Sequence, residues 1–317
     1  MMEMPKIEKL TRKDTVIPPP VLDGTVMILR RHGDYQKDGT QENPGSIKKG
    51  WEEMFAQESR EQLRAMIEAI PVSERSLIDF LSVGSPTEVF GGQRSMETAQ
   101  IELANIEALM TQFGIPQENL LNLHENIKTE ITNPRTQEHK KEGAQPRSAK
   151  DLEHPRALQE SQEFIEHILD AVLSDEKKNG KTYEEKISLL YTDKDVAQKF
   201  WQLYEEDVFG EKRQELGAEG PLEMANRFAH FLDVLNRFAR KYHAKNPGRR
   251  LIVLGASHYD TLTTYVKNHV ANIDQKEYLP VDFGGGIGIA ISPDGTAKSV
   301  INGQEFPITF QTQGTRL

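Results

Sequence analysis

The amino-acid sequence predicts an α/β fold: a three-layer α/β/α sandwich with a mostly parallel central sheet and an inserted helical cap region. Short apolar runs rich in β-branched residues recur along the chain, and each gives way through a loop to apolar residues at helical spacing. One long polar stretch with helical patterns of its own interrupts the alternation. Strands alternating with helices bury a parallel sheet between two helical layers, and such sheets bind ligands beyond the carboxyl ends of their strands.

Thr25 to Leu29 (Thr-Val-Met-Ile-Leu) is the first strand and carries Arg31-His32-Gly33 at its end. A helix follows on Leu63, Met66, Ile67 and Ile70, with Ser59 and Gln62 as a capping box and Pro71 as its stop. Leu77 to Val83 is a second strand ending in Gly84-Ser85-Pro86. Arg94 then opens a helix with Leu103, Ile106, Met110 and Phe113 on one face and Gly114 at its close. Asn119 to Leu123 is a third short apolar segment, leading into His124-Glu125-Asn126.

Thr129 to Arg156 reads as a polar loop, and Leu158 to Leu173 and Val196 to Phe209 as helices. Residues 129–220 are thus a polar loop plus helical insertion in a single domain spanning 1–317. Phe228, Phe231, Leu235, Phe238 and Tyr242 mark a further helix, ended by Asn246-Pro247-Gly248. Arg250 to Leu254 is the clearest strand and runs into Gly255-Ala256-Ser257-His258. Gly284-Gly285-Gly286-Ile287-Gly288 precedes the alternation of Ile287, Ile289 and Ile291 up to the turn Pro293-Asp294-Gly295. It therefore reads as the entry to a hairpin rather than a nucleotide loop, which needs a helix after it.

The 317 residues include 37% hydrophobic and 28% charged side chains, the balance of a soluble globular protein with a polar surface. A formal charge of -10 repels nucleic acid and anionic membranes, so neither is an expected partner. The absence of cysteine excludes disulfides, thiolate nucleophiles and zinc-thiolate sites. The first residues lack the apolar core of a signal peptide and no later run is long enough to span a bilayer, which reads as cytoplasmic. Oligomeric state leaves no trace in the sequence.

Arg31, His32, Arg94, Glu125 and His258 all fall on or just after predicted strand ends. Two arginines and two histidines suit phosphoryl transfer, in which the protein mainly places a nucleophile in line and neutralises charge on the equatorial oxygens. Arg31 and Arg94 would clamp phosphate, since a guanidinium offers a planar fork of donors that stays charged. His32 would be the nucleophile, with one ring nitrogen donating to a carbonyl and the other presenting its lone pair. His258 would stabilise the transferring oxygens, and Glu125 would protonate the leaving alcohol and later activate water. The expected partner is a phosphorylated small-molecule substrate, with no cofactor and no metal. The other histidines, His154 among them, share no spacing and are expected to face solvent or pack.

These residues resemble the histidine phosphatase superfamily, the phosphoglycerate-mutase-like proteins. Leu29-Arg30-Arg31-His32-Gly33 is similar to the signature strand end whose histidine becomes phosphorylated, which implies His32 as nucleophile and Arg31 as a phosphate ligand. Arg94-Ser95-Met96-Glu97-Thr98-Ala99 resembles the start of the helix that bears the second arginine. Leu121-Asn122-Leu123-His124-Glu125 is similar to the segment leading to the catalytic glutamate, and Val253-Leu254-Gly255-Ala256-Ser257-His258 to the strand ending in the second histidine. The sequence departs from the family in placing Asp34-Tyr35 where a small hydroxyl residue is common. It also has Tyr259-Asp260-Thr261 after the second histidine, closer to the acid-phosphatase branch, which implies Asp260 as a rival to Glu125.

The resemblance implies a phosphomonoester hydrolase working through a phosphohistidine, with a phosphoglycerate-mutase-type phosphotransferase as the alternative. Hydrolysis is the safer expectation because water is the default acceptor. Two other classes fit less well. A metal-dependent phosphoesterase would use the His-x-Asp triplets His32-Gly33-Asp34 and His258-Tyr259-Asp260 as ligands but would not need Arg31 and Arg94. A non-catalytic phosphate-ester binding protein on the same fold would keep its function when His32 is replaced.

Overall fold

The computed structural model of the chain describes residues 7–12, 15, 17–35, 46–88, 93–123, 144–270, 278–301 and 303–308. Among them a seven-stranded sheet forms the middle layer, in the order β3-β2-β4-β1-β5-β6-β7. Its strands are β1 (Thr25–Arg31), β2 (Ile78–Gly84), β3 (Arg147–Ser148), β4 (Arg250–Ser257), β5 (Gly286–Ile291), β6 (Ala297–Ile301) and β7 (Gln304–Ile308). The first four are mutually parallel, and β5 to β7 extend the sheet antiparallel beyond β1. The α/β/α sandwich expected from the sequence is the observed fold. β2 and β4 are buried throughout, which explains why they read as continuous apolar runs rather than alternating ones.

Side-chain alternation along β1 divides the interior into two cores. Val26 and Ile28 point to one face, where they pack with Leu63, Met66 and Ile67 of α1 (Lys49–Glu68) and with Leu103, Ile106 and Met110 of α2 (Arg94–Phe113). Met27 and Leu29 point to the other, toward Phe228, Phe231 and Leu235 of α9 (Pro221–Lys245) and Leu262 and Val266 of α10 (Tyr259–His269). At roughly 1.5–3 kcal/mol for each fully buried large apolar side chain, either face commits the chain to this layering.

Between β3 and α9 the insertion folds into α3 (Ala157–Glu160), α4 (Gln162–Val172), α5 (Asp175–Lys178), α6 (Tyr183–Thr192), α7 (Lys194–Glu205) and α8 (Gly210–Glu215). The sequence patterns show α4 and α7 but not α5, α6 or α8. Phe164, Ile168, Phe200 and Trp201 of the insertion belong to the same buried cluster as Leu29 and Phe228. Its helices therefore share a core with the sheet. No described helix is long and apolar enough to cross a membrane.

Two local expectations are corrected. Ser59 is no cap: it is a buried interior residue of α1, which begins ten residues earlier. Trp51 and Phe55 stack at 4.6 Å and extend the buried stripe toward the amino terminus in steps of four, and Ser59 is the next position on it. The Asn119–Leu123 segment forms two 3-10 turns, with one bridge from Leu120 to Phe80. Asn122 holds it in place, since its side-chain amide accepts from the Ser82 N–H at 2.8 Å and donates to the Ser82 carbonyl at 2.9 Å, standing in for a strand neighbour of β2. The glycine run behaves as a strand entry, with Gly284 N–H donating to the Arg31 carbonyl and Gly285 accepting from Arg31 N–H.

Candidate functional site

Parallel pairing sets Arg31 of β1 beside Ser257 of β4, so the residues that leave the two strands, His32 and His258, emerge side by side. The His32 N–H donates to the Ser257 carbonyl at 2.8 Å, and the two imidazole centroids lie 5.1 Å apart. Gly33 is required here by close approach: a Cβ on it would lie 2.1 Å from the Trp51 ring. Its N–H donates to the Thr98 hydroxyl at 3.0 Å, and that hydroxyl donates to the Arg94 carbonyl at 2.8 Å, tying the loop to the first turn of α2.

Strand alternation separates the two adjacent arginines. Arg30 turns toward α1 and α2, where it meets the Glu102 carboxylate at 3.1 Å, Gln62 and Thr15, and has no part in the site. Arg31 turns to the opposite face. One of its terminal nitrogens donates to the Val281 carbonyl at 2.5 Å, its guanidinium lies 4.0 Å from the Phe283 ring centre, and its Nε has no hydrogen-bond partner among the described residues.

Arg94 is 2% exposed and faces two histidines. Its Nε donates to His32 Nε2 at 2.9 Å and its Nη2 to His154 Nε2 at 2.7 Å, while Nη1 has no partner among the described residues. Both imidazoles accept with Nε2, so each carries its hydrogen on Nδ1: His32 donates it to the Gly33 carbonyl at 2.8 Å, and His154 to Asp260 Oδ2 at 2.8 Å. His258 completes the group, with Nε2 at 3.1 Å from the Ser85 hydroxyl and 3.3 Å from that of Ser95, and Nδ1 without a partner among the described residues. Its ring lies over His154 at 3.6 Å.

Burial holds His32 and His258 well below the ordinary histidine pKa, reinforced at His32 by the charges of Arg94 and Arg31 and at His258 by His154 and His32. His154 is also lowered by burial, against the upward pull of Asp260. Three neutral imidazoles thus stand beside two guanidinium cations at the amino ends of α2 and α10. Arginine charge and both helix dipoles favour an anion.

A metal ion is the other ligand such histidines invite, since one ring nitrogen of each of His32, His154 and His258 lies within 4.8 Å of the others. Each second nitrogen also has an oxygen partner, as ligating histidines do. The guanidinium of Arg94, however, lies against two of these nitrogens. A dication about 4 Å from one arginine charge would meet a repulsion of roughly 8 kcal/mol at an effective dielectric near 20. The His-x-Asp triplets do not assemble either: Asp34 is engaged by Lys48 at 2.8 Å and Asp260 by His154. The donor set and its charge fit an oxyanion better than a cation.

The structure therefore brings together His32, His258, Arg31 and Arg94. Glu125 lies outside the described residues, and Asp260 reaches the group through His154. His154 is the correction to the sequence reading: placed in a polar loop and given no role, it is buried at the centre of the site. Its only local signals are the apolar Ala149, Leu152 and Ala157 around it, all buried.

No protein-family model matches the chain, and no curated protein does. Among solved structures the chain is similar to the multiple inositol polyphosphate phosphatase of Bifidobacterium longum, solved in complex with inositol hexasulfate. The TM-score is 0.43 at 9% identity, over 94% of this chain and 93% of that one.

Proposed function

We propose that this chain is a phosphomonoester hydrolase of the histidine phosphatase superfamily, acting through a phosphohistidine at His32. The observation that supports it most is the proton arrangement of His32: Nδ1 is committed to the Gly33 carbonyl, so the lone pair on Nε2 faces Arg94 in a site of net positive charge. That is the arrangement a nitrogen nucleophile needs. Arg94 Nη1 and Arg31 Nε are buried donors without partners among the described residues, and phosphate oxygens would satisfy both.

In this reading the ester phosphate takes the imidazoles' place along the Arg94 edge, and Arg31 and His258 Nδ1 complete the cradle. His32 Nε2 forms the N–P bond as the bond from phosphorus to the ester oxygen breaks, and the electron pair departs with that oxygen, which takes up a proton. Water then attacks phosphorus, the N–P electron pair returns to His32, and phosphate leaves. The family resemblance implies Glu125 or Asp260 as the donor of that proton; Asp260 is engaged by His154. Residues 1–317 act as one domain, with the 129–220 insertion governing what reaches the site; its Trp201 lies parallel to the His154 ring at 6.1 Å. Transfer to a second alcohol, as in a mutase, would use the same groups with water kept out.

The test is hydrolysis of an aryl phosphate by wild-type and His32→Ala protein in excess chelator, with protein labelling followed in parallel. Turnover and an acid-labile, base-stable phosphoryl label, both lost in His32→Ala, are expected. Turnover that chelation abolishes would replace this reading with a metal-dependent one at the three histidines.

A further inference from the structure

His154 comes from the insertion, yet side chains of α9, β4 and α10 hold its turn in place. Arg227 of α9 donates to the carbonyls of Lys150, Asp151, Glu153 and His154 while pairing with Glu219 at 3.0 Å. The Ser257 hydroxyl donates to the Leu152 carbonyl at 2.8 Å, and that of Thr261 to the Glu153 carbonyl at 3.0 Å. Seven side-chain bonds to the five carbonyls of residues 150–154 fix this short turn and with it the position of the ring.

Among the described residues, His154 alone of the three site histidines has a carboxylate on its second nitrogen. Asp260 is fully buried, and its other oxygen, Oδ1, has no partner among the described residues. His32 leans on a carbonyl and His258 on hydroxyls, neither of which offsets an imidazolium charge inside a site that already holds two arginines. A histidine that must gain and release a proton there needs a fixed counter-anion, and His154 has one at 2.8 Å. Its Nε2 faces the same Arg94 edge as His32 Nε2, so one phosphoryl group can touch both rings.

We infer that His154 is the general acid of the phosphomonoester reaction, with Asp260 as its positioning residue, which rests on the phosphohistidine reading above. The ester binds with one proton, which sits on His154 Nε2. As the N–P bond forms and the ester bond breaks, that proton passes to the leaving oxygen. Neutral His154 Nε2 then takes a proton from the attacking water, the water oxygen bonds to phosphorus, and the N–P pair returns to His32.

Loss of a general acid hurts poor leaving groups most. Initial rates would be measured on an alkyl, a phenyl, a 4-nitrophenyl and a 2,4-dinitrophenyl phosphate for wild-type, His154→Gln, Asp260→Asn and Glu125→Gln proteins, with the His32 label chased in each. His154→Gln is expected to lower kcat/KM for the alkyl ester about a hundredfold or more, with a loss at least tenfold smaller for the dinitrophenyl ester. Its His32 should still become labelled by the dinitrophenyl ester, and the label should hydrolyse more slowly. Asp260→Asn should steepen the leaving-group dependence in the same sense, and it stands as the test if His154→Gln does not fold. Equal losses across the series, or steepening in Glu125→Gln alone, would overturn the assignment while leaving labelled wild-type protein to support the phosphohistidine reading. A wild-type protein that neither turns over nor labels would sink that reading and this one with it.

Discussion

Arg94 donates from Nε to Nε2 of His32 at 2.9 Å, so a guanidinium rests on the lone pair that would attack phosphorus. The contact, together with the Gly33 carbonyl on Nδ1, supports the tautomer of His32 and keeps its proton affinity low, since the Arg94 charge stands second only to burial among the causes. Replacing Arg94 by Met removes the charge but keeps most of the volume. His32 in Arg94→Met should therefore take up a proton at a higher pH than in wild type, read from imidazole NMR shifts. The kcat/KM for an aryl phosphate should fall by about 10²–10³, the range for removing one preorganised oxyanion donor. Arg94→Lys should recover little, because an ammonium cannot span two imidazoles or two phosphate oxygens as a planar fork does. A His32 titration unmoved by Arg94→Met would break the electrostatic account of the site.

An anion that fills the site should stabilise the fold by mass action. Phosphate or vanadate at a hundred times its Kd adds about 2.7 kcal/mol if it binds the folded state only. Melting followed by fluorescence should show a concentration-dependent rise in wild type that is largely lost in Arg94→Met, and either anion should compete with substrate. Zinc serves as the control, since a cation must displace the Arg94 edge from two histidines. Stabilisation by zinc that vanishes with His154 and exceeds that given by phosphate would reverse the anion assignment.

Stability should depend on pH through the same histidines. Their folded pKa values lie below the unfolded value near 6.5, so the unfolded chain takes up protons first as pH falls. The sign follows: the stability from each neutral ring is complete above about pH 6.5 and drains away below it, at roughly 1.4 kcal/mol per pH unit for each ring that stays neutral. Glu102 and Glu205 act oppositely, since burial pushes each up to about 7 and their contributions are lost as pH rises through that value. A difference measurement separates the two effects. The urea-derived stability gap between wild type and His258→Asn should narrow as pH falls from 6.5 to 5; a constant gap would mean that His258 is not held neutral.

What the sequence displayed and what it hid have a common physical origin. β1, β2 and β4 are buried on both faces, so their apolar runs stand out, and the parallel register that sets Arg31 beside Ser257 brings His32 and His258 together at the strand ends. Arg94 was legible because a helix start is a local signal. His154 was not, for its position depends on Arg227, Ser257 and Thr261, which lie 73 to 108 residues along the chain from the carbonyls they bind and leave no periodic pattern around it. The start of α1 was missed for a simpler reason. Ser59 is a good capping residue, and only the stack of Trp51 on Phe55 reveals that the helix is already under way.

Gly33 joins the site to that early helix, and its replacement tests whether the loop geometry matters. A Cβ at Gly33 would come within 2.1–2.6 Å of three Trp51 ring atoms, so Gly33→Ala must push the indole or the loop aside. The indole is confined on one side because it stacks on Phe55, whose ring is buried near the Arg30 guanidinium. Overpacking of this kind costs about 1–3 kcal/mol. The Gly33 carbonyl is the acceptor that sets the His32 tautomer, so displacement of the loop should also lower turnover and labelling. Shrinking the partner should relieve both: Gly33→Ala with Trp51→Leu should regain activity and show a stability coupling above 0.5 kcal/mol, in the range for residues in direct contact. If Gly33→Ala alone melts and turns over like wild type, the indole does not confine this loop and the tautomer of His32 is set by Arg94 alone.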